Sequence, residues 1–387
     1  MRTLLVSDLH LGGLSGIDLL RRPALREALL AELPSVDRLV LLGDTLELRH
    51  GPPGKALAAA RPFFEDLGRA LAGRELILCA GNHDHALLAT WLQGRALEDR
   101  PPLGLEQRIE PAQASPMLAR IAEWAAPARV QMAYPGLWLR KDVYATHGHY
   151  LDAHLTIPTL ERLGIGLMGR LLERPAGALW SVQDYEAVTS PIYGWRDAMT
   201  RYFPSGPALN GVATVRAWRA LGGGRGVDEQ GASANGATGP SPWRLLATWL
   251  RIQGLKRAFP LVVSALNRAG LGPLSADLSR SELRRAGLRA MGEVAARLEL
   301  REAHLIFGHT HRAGPLPGDV EAEWRGRAGA RLCNCGCWTY DAVFLAGAPG
   351  ESPYWPGTAV LVTDTGPPEL RRLLLDRSFA DLTPVPA

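Results

Sequence analysis

The chain has 387 residues, 47% of them hydrophobic, enough for a sizeable core and for more than one domain. Its net charge of +4 is too weak over that length to predict an extended nucleic-acid surface, and only three of the 43 basic residues are lysine (Lys55, Lys141 and Lys256), which reads as a compositional bias. No apolar run approaches the ~20 residues that a membrane span needs. The longest candidate, Trp243 to Leu271, is broken by Arg244, Arg251, Lys256, Arg257 and Arg268.

In chain order, Thr3 to Ser7 reads as a buried strand running into Asp8-Leu9-His10, so no leader segment is expected ahead of it. Pro23 to Leu33 has apolar residues at helical spacing. A second strand, Asp37 to Leu42, ends at Gly43-Asp44-Thr45-Leu46-Glu47. Ala56 to Leu71 is again helical in pattern, and a third strand, Glu75 to Ala80, ends at Gly81-Asn82-His83-Asp84. Strand–helix–strand alternation predicts an open α/β sheet, in which ligands gather at the carboxyl ends of the strands. All three polar motifs lie at that edge.

The stretch from Leu97 to Pro116 is rich in proline and charge and reads as a loop, followed by a helix over Met117 to Trp124. Val143 to Thr146 is a short strand ending at His147-Gly148-His149. The strand pattern then lapses until about residue 300. Within that gap Leu160 to Leu172, Trp243 to Leu266 and Ser281 to Leu298 show helical spacing, with Ser279 three residues before Glu282 as an N-cap signal. Residues 222–242, rich in Gly, Ser, Ala and Asn, read as a mobile loop. Strands resume at His304 to Phe307, which ends in Gly308-His309-Thr310-His311, and continue at Ala330 to Cys335, Thr358 to Thr363 and Leu370 to Leu375. The expected organisation is one α/β unit from residues 1–150 and 301–387, interrupted by a helical insertion over 151–300. The cysteines are Cys79 and the alternating Cys333, Cys335 and Cys337. The alternating three read as one face of a core strand, and the set suits a reduced, cytoplasmic chain.

Five motifs thus fall at strand ends: Asp8-x-His10, Gly43-Asp44-x-x-Glu47, Gly81-Asn82-His83-Asp84, His147-Gly148-His149 and Gly308-His309-x-His311. Carboxylate, imidazole and amide donors together suit borderline divalent ions better than a thiolate zinc site. A bridging position between two cations needs an anionic oxygen, which Asp44 offers and Asn82 does not. Asp8 or Asp44 alone could be a helix N-cap. That reading does not cover both together with four histidines.

In these motifs and their order the chain resembles the calcineurin-like metallophosphoesterase family, over the core and not over the insertion. The resemblance implies a metallophosphoesterase-type αββα sandwich with a helical cap and a pair of divalent ions (Mn, Fe or Zn). Asp8, His10 and His311 would hold the first ion, Asn82, His147 and His309 the second, with Asp44 bridging. His83 matches the family's catalytic histidine and Asp84 its orienting partner. The implied activity is hydrolysis of a phosphomonoester, phosphodiester or pyrophosphate bond by a metal-activated hydroxide. A narrower alternative is the branch that cleaves the pyrophosphate of nucleotide-linked lipid precursors, and a rival from another class is a non-catalytic interaction module on the same fold.

Around the motifs, Glu47 is either a solvated helix residue or the carboxylate that the resembled family often has there, with no direct metal role expected. His149 is either beside the ligands or merely structural, and Tyr150, Asp152 and His154 either line the site or begin an ordinary polar helix. His50, His85 and His304 read as structural or exposed. The insertion is expected to flank the strand-end edge and select the phosphoester substrate, with membrane-surface contact a minor alternative.

Overall fold

A computed structural model of the chain describes residues 1–98, 100–202, 258–342, 344–345 and 347–384. Its strands are β1 (Thr3–Val6), β2 (Arg38–Leu42), β3 (Glu75–Cys79), β4 (Glu106–Ile109), β5 (Arg129–Arg140), β6 (Val143–Thr146), β7 (His304–Phe307), β8 (Arg331–Asn334), β9 (Thr358–Val362) and β10 (Glu369–Arg372). They pair in the order β10-β9-β1-β2-β3-β5-β6-β7-β8, with β4 added against β5. The links β1–β2, β2–β3, β3–β5, β6–β7 and β7–β8 are parallel, while β5–β6 and β1–β9 are antiparallel. Helices α1 (Pro23–Leu30), α2 (Pro53–Ala70), α3 (Ala89–Leu97), α4 (Pro111–Ala114) and α5 (Pro116–Trp124) come from the first 150 residues. From residues 151–300 come α6 (Leu160–Leu171), α7 (Val182–Tyr202), a helical stretch at 258–268 and α8 (Arg280–Arg297), and α9 (Phe379–Leu382) lies near the end.

Because side chains alternate along a strand, each buried strand serves two faces. In β1, β2, β3 and β9, Leu4, Val6, Leu39, Leu41, Leu76, Leu78, Ala359 and Leu361 join a cluster with Leu25, Phe63, Phe64, Leu118 and Ile121 of α1, α2 and α5. Their neighbours Leu5, Val40, Leu42, Ile77, Cys79, Val360 and Val362 join a second cluster, which also takes Val143, Ala145, Ile306 and Cys333 from β6, β7 and β8. The opposite face of those last strands, with Tyr144, Leu305, Phe307 and Leu332, packs on Ile165, Tyr185, Leu288, Met291 and Val294 of α6, α7 and α8. The chain is therefore a mixed α/β structure whose hydrogen-bonding ladder runs unbroken through ten strands. The division into two sheets expected from the sequence is not a break in that ladder.

Several elements escape the sequence pattern. β4 and α4 fall within the expected loop of Leu97 to Pro116, while β5, α3, α7 and α9 lie where no element was expected, and β5 lacks a clean alternation because Pro135 and Gly136 sit at the point where it leaves β3 and meets β6. α7 carries Pro191 in its interior and a mixed polar–aromatic sequence, which hides its apolar face. Ser279 does cap α8, its hydroxyl accepting from the Glu282 N–H at 3.2 Å. No helix among the described residues is long and apolar enough to cross a membrane. Residues 222–242, and 243–257 of the expected helix over Trp243 to Leu266, lie outside the described residues.

Candidate metal centre

The five motifs leave the sheet on the same edge. Asp8 and His10 follow β1, Asp44 follows β2, Asn82 and His83 follow β3, His147 follows β6, and His309 and His311 follow β7. Turning a side chain back across a strand end requires unusual backbone. Of the eight non-glycine residues with positive φ among the described residues, five are Asp8, His10, Asp44, His309 and His311. Each such conformation costs on the order of 1–3 kcal/mol and persists only where its surroundings impose it.

The glycines ahead of the motifs have two different reasons. Gly43, at φ +88°, makes a left-handed turn. Gly81 and Gly308 are there for space: a β-carbon on Gly81 would overlap Asp44 Oδ1, and one on Gly308 would overlap Ser7 Oγ and Asp8 Oδ2.

Four imidazoles point one nitrogen inward and tie the other outward. His10 Nδ1 meets Glu47 Oε2 at 3.0 Å, His147 Nδ1 meets the Leu42 carbonyl at 3.0 Å, and His309 Nε2 meets Asp152 Oδ1 at 2.9 Å. His311 Nδ1 has Thr339 Oγ1 at 3.4 Å. An N–H donated outward fixes the tautomer and leaves the inner nitrogen with its lone pair facing the centre.

These inner atoms form two groups. In the first, His311 Nε2 is 3.2 Å from His10 Nε2 and 3.2 Å from Asp8 Oδ1, and Asp8 Oδ1 is buried without a hydrogen-bond donor. In the second, one end of the Asn82 amide lies 3.2 Å from His147 Nε2 and 3.0 Å from His309 Nδ1. Asp44 Oδ2 belongs to both, 3.7 Å from His10 Nε2 and 3.4 Å from His147 Nε2. Lone pairs facing one another at such distances repel unless a proton or a metal cation lies among them. Asp8/His10/His311 and Asp44/His147/His309 are accordingly two sets close enough to hold an ion. The seven residues expected as ligands are thus brought together, and the donor set fits a pair of divalent cations.

Asn82 can meet this centre in two ways. With its nitrogen inward, the amide donates to Asp44, His147 and His309, and its oxygen accepts from Arg49 Nη1 at 3.0 Å. With its oxygen inward, it adds one more lone pair to the second set. Arg49, whose buried Nε and Nη2 make no hydrogen bond among the described residues although Nε lies 3.7 Å from Asp197 Oδ1, was not singled out from the sequence.

The electrostatics point the same way. Burial raises the carboxyl of Asp8, but His311 outweighs it and the group settles at about 2. Burial lowers the His147 imidazole, yet Asp44 lifts it to about 9, and Asp8 lifts His311 well above its usual value in the same manner. Cations entering here would displace those protons, so affinity should rise with pH.

His83 stands beside the ligands. Its backbone N–H donates to Asp44 Oδ1 at 2.7 Å, and its Nδ1 lies 2.8 Å from Glu47 Oε2. Burial holds its imidazole down at about 4, against the pull of Glu47 and Asp44. Asp84, expected as its orienting partner, does not have that place. The Asp84 oxygens accept from the backbone N–H groups of Gly81, Thr45 and Leu46, bracing the β2 and β3 loops. Glu47 takes the role instead. Far from being a solvated helix residue, it is buried between His10, His83 and His50. Burial raises its carboxyl, but His83, His10 and His50 outweigh that and hold it well below the usual range.

Among the remaining histidines, His50 joins this group through Glu47, whereas His85 lies 3.9 Å from Glu186 and His304 is half-buried on β7 beside Arg331. His154 bonds the Tyr185 hydroxyl, and Tyr150 bonds Glu186. His149 is buried, and neither ring nitrogen has a hydrogen-bond partner among the described residues. Cys333 and Cys335 share the central apolar cluster, and all four thiols are free and buried.

Asp152 is the residue here with a clear consequence. Asp152→Ala is expected to leave the fold intact and weaken the second ion by about 10–100-fold, because the acceptor that orients His309 is lost. Metal titration of the variant checks this, and an unchanged affinity would remove Asp152 from the site.

No family model and no curated protein matches the chain.

Proposed function

We propose that the chain is a metallophosphoesterase that hydrolyses a phosphoester bond with two divalent ions. The observation that carries this reading is Asp44 Oδ2 shared between two lone-pair sets, each built from both ends of the chain. The three apolar clusters support a helix–sheet–sheet–helix layering of the metallophosphoesterase type on either side of β5.

Asp8, His10 and His311 would hold one ion, Asn82, His147 and His309 the other, with Asp44 common to both. Two such ions supply Lewis-acid charge to a phosphoryl group and lower the pKa of the attacking water. The chain's own residues do the rest. Glu47 fixes the His83 ring through Nδ1, which leaves Nε2 without a partner among the described residues and available to donate a proton to a leaving oxygen. The buried thiols suit the reducing, cytoplasmic setting proposed for the chain.

Stripping the protein with a chelator and restoring Mn²⁺, Zn²⁺ or Fe²⁺ tests the reading. Turnover across mono-, di- and pyrophosphate esters is expected to vanish and return with two ions bound per chain. Turnover that survives stripping, or a restored protein with two ions and no hydrolysis of any ester, would overturn it.

A further inference from the structure

A cavity of about 350 Å³ opens directly on the metal centre, with His309 and His311 at its inner end. Its walls are apolar: Leu151, Leu155 and Ile157 from the segment after β6, Leu283 from α8, and Phe344 and Tyr354 from the connection between β8 and β9. Hydrolysing a bare phosphate ester requires no such surface, and a pocket of this size lined by apolar groups is the usual form of a small-molecule site.

Two cations stand in the same wall. Arg280 and Arg284 line the cavity, and neither forms an ion pair with a carboxylate among the described residues. The Arg284 guanidinium lies 6.0 Å from the Tyr354 ring centroid, with its Nε buried and unbonded. Elsewhere in the same helix Arg285, Arg289 and Arg297 are each matched to a glutamate, so the unmatched pair is confined to the cavity. Positive charge beside an apolar wall and next to a phosphate-handling centre complements one kind of molecule, an anion with an apolar arm.

We infer that the substrate is an amphipathic phosphoester, its phosphoryl group at the metal centre and an aliphatic or aryl arm in this cavity. Arg280 and Arg284 then face the anionic part where it enters. The inference rests on the phosphoesterase reading for its chemistry, while the cavity is tested separately by binding.

The test is calorimetric titration of the full-length, Mn²⁺-loaded protein with methyl-, hexyl- and decylphosphonate below their micelle concentrations. Each methylene that enters the cavity should tighten binding by about fourfold, so four buried methylenes give roughly 200-fold. Leu283→Gln and Leu155→Gln, each checked for fold and Mn²⁺ content, should cut the gain for the long chains and leave methylphosphonate unchanged. Arg284→Gln should weaken all three ligands. Equal affinity at every chain length overturns the inference, as does a chain-length gain that both leucine variants leave intact. A Leu283-sensitive chain preference in a protein that cleaves no phosphoester would leave the cavity standing and remove the hydrolase reading. Hydrolysis without any chain preference would do the reverse.

Discussion

An Asp44→Asn chain is expected to retain neither ion firmly and to lose phosphoester turnover by on the order of 10³-fold or more, since removing even one donor to a transition state costs about 10²–10³-fold. The reason lies in one atom. Asp44 Oδ2 is the point shared by the two lone-pair sets, and an amide oxygen in its place carries no net charge to set against two cations. The neighbouring geometry does not depend on that charge, because Asp44 Oδ1 accepts only the His83 N–H and an amide oxygen can accept it equally well. Elemental analysis and turnover should therefore fall together while the chelated protein keeps its secondary structure, and its melting point drops only by what the lost His147–Asp44 pair contributed. A fully loaded, active Asp44→Asn protein would sink the assignment.

His83→Ala should separate chemistry from metal binding. The ring is held by Glu47 and lies outside the four imidazoles whose outer nitrogens are tied back, so both ions are expected to stay. If Nε2 protonates the leaving oxygen, kcat should drop by about 10²–10⁴-fold. The loss should shrink for aryl esters, whose leaving oxygens need no proton, and grow for alkyl esters. Comparing 4-nitrophenyl and alkyl phosphodiesters measures it, and an equal loss for both would assign His83 to charge stabilisation or positioning. Burial holds the imidazole down at about 4, so the general-acid role needs the Glu47 carboxylate to keep the ring protonated against the positive charge of ions bound beside it.

Much of the sheet was legible because its strands are short, fully buried and apolar in both phases. Leu39 to Leu42 and Leu76 to Cys79 cannot be read as half-exposed strands or as amphipathic helices. The ligand residues were legible for a related reason: a polar motif directly after such a run has few structural uses. What escaped the sequence depends on contacts between distant segments. Glu47 looks like an ordinary helix acid until His10, His83 and His50 are placed around it. Asp84, beside His83 in sequence, faces the other way and holds backbone N–H groups of two loops. Asp152 is assigned only once β7 brings His309 to it, 157 positions along the chain. β5 was hidden because proline and glycine at its bend erase the alternation that marks a strand.

The place of β1 in the sheet has a consequence for how the protein is made. β1 lies between β2 and β9, so one of its edges finds its partner only when Thr358–Val362 have been synthesised. Throughout translation the most N-terminal strand therefore presents an open, apolar edge, the feature that invites mispairing with other chains. Asp8 and His10 hang from that strand, and His309 and His311 arrive almost as late. Five of the seven expected ligands are present by His147, but neither ion-binding set is complete until β7 has formed beside β6 and carried His309 and His311 to them.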